Sequence, residues 1–251
     1  MLLHPTLDKL KQLRLAGMAK ALDEQQQLPD AGTLSFEERL GLLLDREVTE
    51  RESRALNTRL MRARLKQAAT PEDIDFKTPR GIDRYVFKGL LDSDWLRDHR
   101  NVLITGPTGV GKTYLACAIT HQSCRLGYSA LYCRLPRLFP ELAIARADGR
   151  FPKLLAQFAK TDVLILDDWG LAPMTPEARH DLLEILDDRH GRKSTIVTSQ
   201  LPTEHWHEAI GDPTLADAIL DRLIHSAYTF KLSGESMRKK HAGLTAQSIS
   251  A

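Results

Sequence analysis

The spacing of hydrophobic residues changes along the chain, and this change divides the sequence into two parts. In residues 1–66, apolar side chains recur every three or four positions, which predicts helices. Ser35, followed three residues later by Glu38, predicts a capping box at the start of the second helix. This part therefore reads as a small all-helical N-terminal domain. The buried stripe expected on the second helix consists of Phe36, Leu40, Leu43, Leu44 and Val48.

Beyond residue 101, short apolar runs alternate with helical stretches. This alternation predicts a parallel sheet and an α/β domain of three layers. We assign 101–241 to that domain, 67–100 to a linker leading into it, and 242–251 to a flexible tail. The predicted strands are 101–105, 128–133, 162–167, 195–199 and 227–232.

Composition narrows the class of protein. Of 251 residues, 42% are hydrophobic and 27% are charged, as in ordinary globular domains. Lys and Arg number 35 against 33 Asp and Glu, so an anionic partner has to be met by local patches rather than by net charge. No apolar run approaches the ~20 residues of a membrane span, and no secretory signal is visible. The three cysteines are too few for a disulfide framework, so we expect a cytoplasmic protein. Because no apolar run is long enough to span a membrane, we expect no membrane partner.

Residues 106–113, Gly-Pro-Thr-Gly-Val-Gly-Lys-Thr, match the phosphate-binding pattern G-x-x-x-x-G-K-[ST] in full. They follow a predicted strand and precede a predicted helix, which is the context that this loop requires. Its glycines let backbone N–H groups point at phosphate oxygens, Lys112 reaches the β- and γ-phosphates, and Thr113 offers a hydroxyl to Mg²⁺. The predicted ATP-binding residues are Gly106, Pro107, Thr108, Gly109, Val110, Gly111, Lys112, Thr113 and Tyr114.

A second apolar run, 162–168, ends in two acids. A buried strand with this ending suits a nucleotide site in which Asp167 holds Mg²⁺ and Asp168 polarises the attacking water. Gln200 follows the next strand and either positions water near the γ-phosphate or is an ordinary loop residue. The predicted reaction is hydrolysis of ATP with Mg²⁺, in which Lys112, Asp168 and Gln200 are the candidate catalytic residues.

Residues 51–66 form a basic segment that contains one acid, Glu52. At 100° per residue, all of its cations except Arg64 fall on one side of a helix. A solvated helix face and a phosphate-contacting surface both explain such a run. The candidate DNA contacts in this segment are Arg51, Arg54, Arg59, Arg62 and Lys66.

Together these motifs resemble the AAA+ ATPases of the initiator and helicase-loader branch, and in particular the IstB family of insertion-sequence helper ATPases. The resemblance rests on residues 34–40, 45–47, 106–113, 164–170 and 198–200. The N-terminal segments separate the chain from the bacterial helicase loader, whose core motifs look similar. The family implies an ATP-promoted homo-oligomer that binds duplex DNA largely without regard to sequence and recruits a transposase.

The resemblance also implies roles for residues outside these motifs. Arg222 looks like the arginine finger that reaches a neighbouring subunit's ATP, and Arg238 sits where a sensor-II arginine lies. Residues 134–160 fit the helical insertion that faces DNA in initiator-type proteins. Asp168 replaces the commoner Glu, and its shorter side chain predicts slow hydrolysis. Further candidate DNA contacts, from the insertion, are Arg137, Arg146, Arg150 and Lys153.

Two alternatives stay open at this point. A helicase loader uses similar core motifs and grips a replicative helicase with its N-terminal helices. A P-loop kinase transfers phosphate to a small molecule and acts as a monomer. The two basic segments and Arg222 argue against the kinase.

Overall fold

The computed structural model describes residues 5–27 and 33–237. The chain divides into two compact units, residues 1–58 and 59–251. Three helices form the described part of the first unit, which confirms the predicted helical N-terminus; the last of them ends within the second unit. The helices are α1 (Pro5–Gln12), α2 (Ala16–Gln27) and α3 (Phe36–Ala63).

The capping box at the start of α3 is confirmed. The Ser35 amide donates to Glu38 Oε2 over 2.8 Å, and the Glu38 amide donates to Ser35 Oγ over 3.2 Å. Helix α2 approaches α3 closely, since a Cβ on Gly17 would lie 2.7 Å from the Cα of Glu47. The Glu47 carboxylate accepts the Met18 amide over 3.1 Å and so satisfies a donor in the first turn of α2.

The predicted buried stripe of α3 is wrong in part. Phe36, Leu44 and Val48 are exposed to 66%, 50% and 54%. In this stretch it is Glu47, rather than an apolar residue, that is fully buried beside α2. Helical periodicity identifies an apolar face but does not say whether a neighbouring helix covers it.

A parallel five-stranded sheet organises the second unit, in the order β2-β3-β4-β1-β5. All five predicted strands are confirmed within a few residues. Because every strand runs in the same direction, the loops after β1, β3 and β4 meet at one edge of the sheet. The strands are β1 (Val102–Thr105), β2 (Ala130–Arg134), β3 (Val163–Trp169), β4 (Ser194–Ser199) and β5 (Tyr228–Lys231).

Helices cover both faces of this sheet and complete the predicted three-layer α/β fold. The core between them consists of the apolar strands and of helix residues such as Leu182 and Ile219, both fully buried. In the part of the chain that the structure describes, no helix is long and apolar enough to cross a membrane. The helices are α4 (Arg84–Gly89), α5 (Asp94–Arg97), α6 (Lys112–Arg125), α7 (Leu135–Ala147), α8 (Phe151–Lys160), α9 (Pro176–Arg189), α10 (Trp206–Ile210) and α11 (Pro213–Ile224).

The predicted linker, 67–100, contains regular secondary structure and buried side chains. It contains a 3₁₀ turn at Pro71–Asp73 and the short helices α4 and α5. Phe87 and Trp95 are each 1% exposed, and the Trp95 indole N–H donates to the Leu90 carbonyl over 3.1 Å. Burial on this scale makes the segment an integral part of the second unit.

Candidate nucleotide-binding site

The phosphate-binding loop joins the carboxyl end of β1 to the first turn of α6. Gly106 and Gly111 have φ values of +144° and +99°, a backbone conformation that residues with a Cβ rarely adopt. A Cβ on Gly106 would lie only 2.2 Å from the Leu232 carbonyl oxygen. Helix α6 begins at Lys112, so the unpaired N–H groups of its first turn lie next to the loop. The loop and helix together suit a phosphate group.

The Lys112 side chain folds over this loop. Its Nζ donates to the carbonyl oxygens of Gly106 and Pro107 over 2.7 and 2.8 Å, and the residue is 9% exposed. These contacts keep the ammonium group at the site where a phosphate chain is expected. Tyr114, two residues further along α6, is half-buried, and burial raises the pKa of its phenol.

Asp167 lies at the carboxyl end of β3 and is completely buried. Its Oδ1 accepts hydrogen bonds from the hydroxyl groups of Thr113, over 2.9 Å, and Thr198. Its Oδ2 accepts one from Tyr132, and the Lys66 ammonium lies 3.7 Å from that oxygen. Burial and the bond to Asp167 together raise the pKa of the Tyr132 phenol. Four groups from different elements therefore fix one carboxylate.

The pair formed by Thr113 and Asp167 fits a magnesium ion. Hydroxyl and carboxylate oxygens are the hard ligands that Mg²⁺ takes, and the ion fills its remaining positions with phosphate oxygens and water. Within residues 5–27 and 33–237, no group of three or more His, Cys, Asp or Glu side chains can hold a metal ion.

Asp168 follows directly and has a strained backbone, with φ of +65°. Its amide donates to Thr198 Oγ1 over 3.3 Å, and its carboxylate pairs with the Arg134 guanidinium. That pairing raises the pKa of Arg134. Strain of this kind persists only where neighbouring contacts over-determine the conformation, and it concentrates at functional sites.

Gln200 lies beside the phosphate-binding loop. Its Oε1 accepts a hydrogen bond of 2.9 Å from Thr108 Oγ1. The structure therefore brings together the residues that the two nucleotide motifs and Gln200 contribute. All of them lie where β1, β3 and β4 end.

Arg222 lies near the amino end of β1, at the opposite end of this strand from the phosphate-binding loop. The side chain of Asn101, which precedes β1, donates to the carbonyl oxygens of Arg222 and Leu223 over 2.9 and 3.1 Å. The Arg222 guanidinium pairs with Asp187 and donates to the Ala218 carbonyl over 2.7 Å. At about 3.3 Å per residue, the four-residue strand β1 separates Arg222 from the phosphate-binding loop of its own chain.

A polar cavity of about 400 Å³ lies beside Arg222 and is lined by Asn101, Arg189 and His225, among others. It belongs to the amino ends of β1 and β4 rather than to the phosphate-binding loop. Arg238, the other arginine that the resemblance implicates, lies outside the described residues.

Most of the candidate DNA-contacting cations have partners within the protein. Arg51 and Arg54 pair with Glu47 and Glu50 along α3. The remaining partners are Cys124 O for Arg59, Asp167 for Lys66, Asp181 and Glu184 for Arg146, and Asp148 for Arg150.

Arg62, Arg137 and Lys153 form no ion pair with any residue in 5–27 or 33–237. An exposed cation without an acid partner gains more from a phosphate than one that must first give up a carboxylate. These three side chains are therefore the candidates that the structure leaves available for phosphate contact.

Comparison with known proteins identifies the family. The sequence profile of IstB-like ATP binding proteins matches residues 8–245. The chain belongs to the IstB-like ATP-binding family. It is 55% identical to the insertion sequence ATP-binding protein y4pL of Sinorhizobium fredii over 95% of this chain and 98% of that protein. The insertion sequence IS21 ATP-binding protein of Pseudomonas aeruginosa is 36% identical over 95% and 89% of the two chains.

The fold of this IstB-like protein is similar to that of a solved structure, DnaI. The crystal structure of DnaI superposes with a TM-score of 0.58 and 24% identity, over 66% of this chain and 91% of that one. The expected fold and the resemblance to the IstB family are thus confirmed.

Three residues of the IstB-like site were not assigned from sequence. Tyr132 and Thr198 contact the Asp167 carboxylate, and Arg134 contacts Asp168. The sequence places Arg134 only within the expected insertion 134–160, and Thr198 only within a predicted strand and within residues 198–200, which carry part of the resemblance. Tyr132 and Thr198 lie on predicted strands, and the available signal is that a polar side chain buried in a sheet needs a hydrogen-bond partner.

Proposed function

We propose that this IstB-like protein hydrolyses ATP with Mg²⁺ in an oligomer on duplex DNA and recruits a transposase. The observation that carries the proposal is the contact between Thr113 and Asp167 beside a glycine loop and a helix N-terminus. Such an edge binds a nucleoside triphosphate and its metal. The family's ATP-binding character and its association with insertion sequences support the same conclusion.

The chain's own residues have separate tasks in hydrolysis. Loop amides and Lys112 hold the phosphate chain, and Thr113 and Asp167 hold Mg²⁺, which neutralises charge on the phosphate oxygens when bound. Asp168 accepts a proton from the attacking water as the water's oxygen bonds to the γ-phosphorus and the ADP oxygen leaves. Gln200 orients this water or senses the γ-phosphate from its place beside Thr108.

The pairing of Asp168 with Arg134 supports slow basal hydrolysis. A carboxylate oxygen that already accepts a hydrogen bond from a guanidinium is not free to contact the attacking water. Arg134 directly precedes α7, the first helix of the predicted DNA-facing insertion. Contact between DNA and this segment therefore offers a route by which DNA alters turnover.

The position of Arg222 supports a site shared between subunits. Its backbone lies beside Asn101, at the opposite end of β1 from the phosphate-binding loop, so a role at ATP requires the nucleotide of another copy. An arginine supplied in this way stabilises the charge of the phosphoryl-transfer transition state. ATP then promotes assembly, because it is bound by residues of two subunits at once.

The DNA partner is duplex DNA contacted through phosphates. Arg62, Arg137 and Lys153 are the cations best placed for it, and phosphate contacts position a protein without specifying sequence. A helicase loader remains the alternative for the partner, and retrieval of a replicative helicase instead of a transposase is the result that favours it. No relative described above supports a small-molecule kinase.

Asp168→Asn tests the hydrolysis step. The change keeps the side-chain shape and removes the proton acceptor, so we expect kcat to fall by about 100-fold. ATP binding should change by no more than about twofold, or roughly 0.4 kcal/mol. Asp188→Asn is the matched control, because Asp188 is an exposed acid on α9. Unchanged turnover in Asp168→Asn contradicts the assignment of Asp168 as the base.

A further inference from the structure

An arginine outside every nucleotide motif lies against the phosphate-binding loop. Arg80 belongs to the turn Thr78-Pro79-Arg80-Gly81, yet it is only 6% exposed. Arginine is almost never buried to this extent unless its guanidinium is bound by partners. The burial of Arg80 therefore calls for a specific set of contacts.

Those contacts join the turn to the loop. Arg80 Nη1 donates to the Val110 carbonyl over 3.0 Å, and Nη2 donates to the Asp75 carbonyl over 2.7 Å. A Cβ on Gly111 would lie 2.8 Å from Nη1. Val110 and Gly111 are the last two residues before α6, so the guanidinium lies directly behind the end of the loop.

The backbone of Arg80 is also fixed. Its carbonyl accepts the Ser233 amide over 2.9 Å, just beyond the end of β5. Gly81 has φ of +77°, and a Cβ there would lie 2.5 Å from the Lys231 carbonyl oxygen. Since β5 pairs with β1, Arg80 bridges the end of β5 and the loop that follows β1.

This placement is energetically demanding. Burial lowers the pKa of the Arg80 guanidinium, because water no longer solvates its charge. Its Nε is buried and has no hydrogen-bond partner among the described residues. The cost of removing such a cation from water is offset only where its hydrogen bonds have good geometry, and Arg80 has two to backbone carbonyl groups.

We propose that Arg80 is a positioning residue for the nucleotide phosphates. Its guanidinium keeps the Val110 carbonyl turned into the protein, which leaves the N–H groups of the loop to face the ligand. It also places a positive charge behind the loop, where an anion binds. The inference rests on the proposed function, since it deepens the account of the same ATP site.

The expected defect is one of loop preorganisation. Without the Arg80 tether, the Val110 peptide adopts additional orientations, and only a fraction of molecules holds the binding-competent loop. If that fraction falls to about one tenth, the apparent Kd for a nucleotide with a β-phosphate rises about tenfold. AMP lacks the β-phosphate that the loop cradles, so its affinity should stay nearly constant.

The test measures binding of ADP and AMP to the full chain, with a fluorescent ADP analogue as the competed probe. Arg80→Gln removes the charge, and we expect about tenfold weaker ADP binding. Arg80→Lys keeps the charge but cannot span both carbonyls, and we expect a loss of about threefold. Arg97→Ala is the control, because Arg97 is an exposed arginine of the same segment that pairs with Asp94.

Thermal melting without nucleotide shows which variants are folded, and Arg80→Lys decides the question if Arg80→Gln does not fold. ADP affinities of the folded variants within about twofold of wild type overturn the inference. Equal losses for ADP and AMP also overturn it, because Arg80 then supports the fold rather than the phosphates. A wild-type chain that binds no nucleotide contradicts the proposed function itself.

Discussion

The carboxyl edge of the sheet and the basic helices differ in what their predicted residues touch. At the sheet edge, Lys112 contacts the loop, Thr113 contacts Asp167, and Gln200 contacts Thr108. On α3, α7 and α8, most of the predicted cations contact acids or carbonyl groups of the protein itself. A motif with residue types at fixed spacing predicts which side chains lie close together. A run of like charges does not predict which groups will pair with those charges.

Arg222→Ala should give the largest effect, because it tests whether the site needs a second subunit. We expect ATP turnover of the assembled protein to fall by about 1000-fold, the lower end of the range for arginine fingers, while ATP binding by the monomer persists. Arg192→Ala, an exposed arginine after α9, is the control. Full turnover in Arg222→Ala contradicts the assignment.

Mixing variants sharpens this test. Arg222→Ala subunits keep the phosphate-binding loop, and Lys112→Ala subunits keep the arginine. If the site is shared, the mixture recovers part of the turnover that each variant lacks alone. A mixture as inactive as its components shows that Arg222 does not act on a neighbour's nucleotide.

Lys112→Ala should have the next largest effect. It removes a charge-assisted contact to the phosphates, and we expect nucleotide affinity to fall by about 100-fold. Isothermal titration with ADP measures this change. Lys88→Ala, a change at a lysine of α4, is the control. Retention of wild-type affinity removes the phosphate-binding loop from the account.

The basic surfaces make the third prediction. Arg137→Ala with Lys153→Ala removes two cations that lack acid partners in the described part of the chain. Affinity for duplex DNA falls as salt rises, and we expect this dependence to become shallower. The magnitude of the slope of log affinity against log salt should fall by about 1.8, at about 0.9 per phosphate contact. Arg54→Ala with Arg150→Ala removes two paired cations and should change the slope little. Equal effects of the two pairs contradict the distinction between paired and unpaired cations.

Arg134→Ala has the smallest expected effect and links the two regions. Without this partner, the Asp168 carboxylate is free to contact the attacking water, and basal turnover should rise by about threefold. Arg125→Ala removes an arginine that pairs with Glu72 and serves as the control. Lower turnover in Arg134→Ala shows that Arg134 holds Asp168 in its working position.

The sequence predicted the sheet and the phosphate-binding loop well because the strands are short and alternate with helical stretches, and because the loop motif follows a fully buried strand. It did not predict that the linker is packed, since the burial of Phe87 and Trp95 depends on contacts made far along the chain. The exposed stripe of α3 shows the same limit, as periodicity does not reveal whether a partner covers it. Arg80 has no local signal at all, because its role comes from a hydrogen bond to Val110, thirty residues away.

Whether this protein assembles on DNA only when ATP is bound is decided by measuring how the full chain binds labelled duplex DNA with ATP, with ADP and without nucleotide. Fluorescence anisotropy gives affinity at two salt concentrations, and light scattering gives the size of the complex. We expect a large, salt-sensitive assembly on DNA in the presence of ATP, but not with ADP or without nucleotide. A protein that stays monomeric with every nucleotide and does not bind DNA contradicts this expectation.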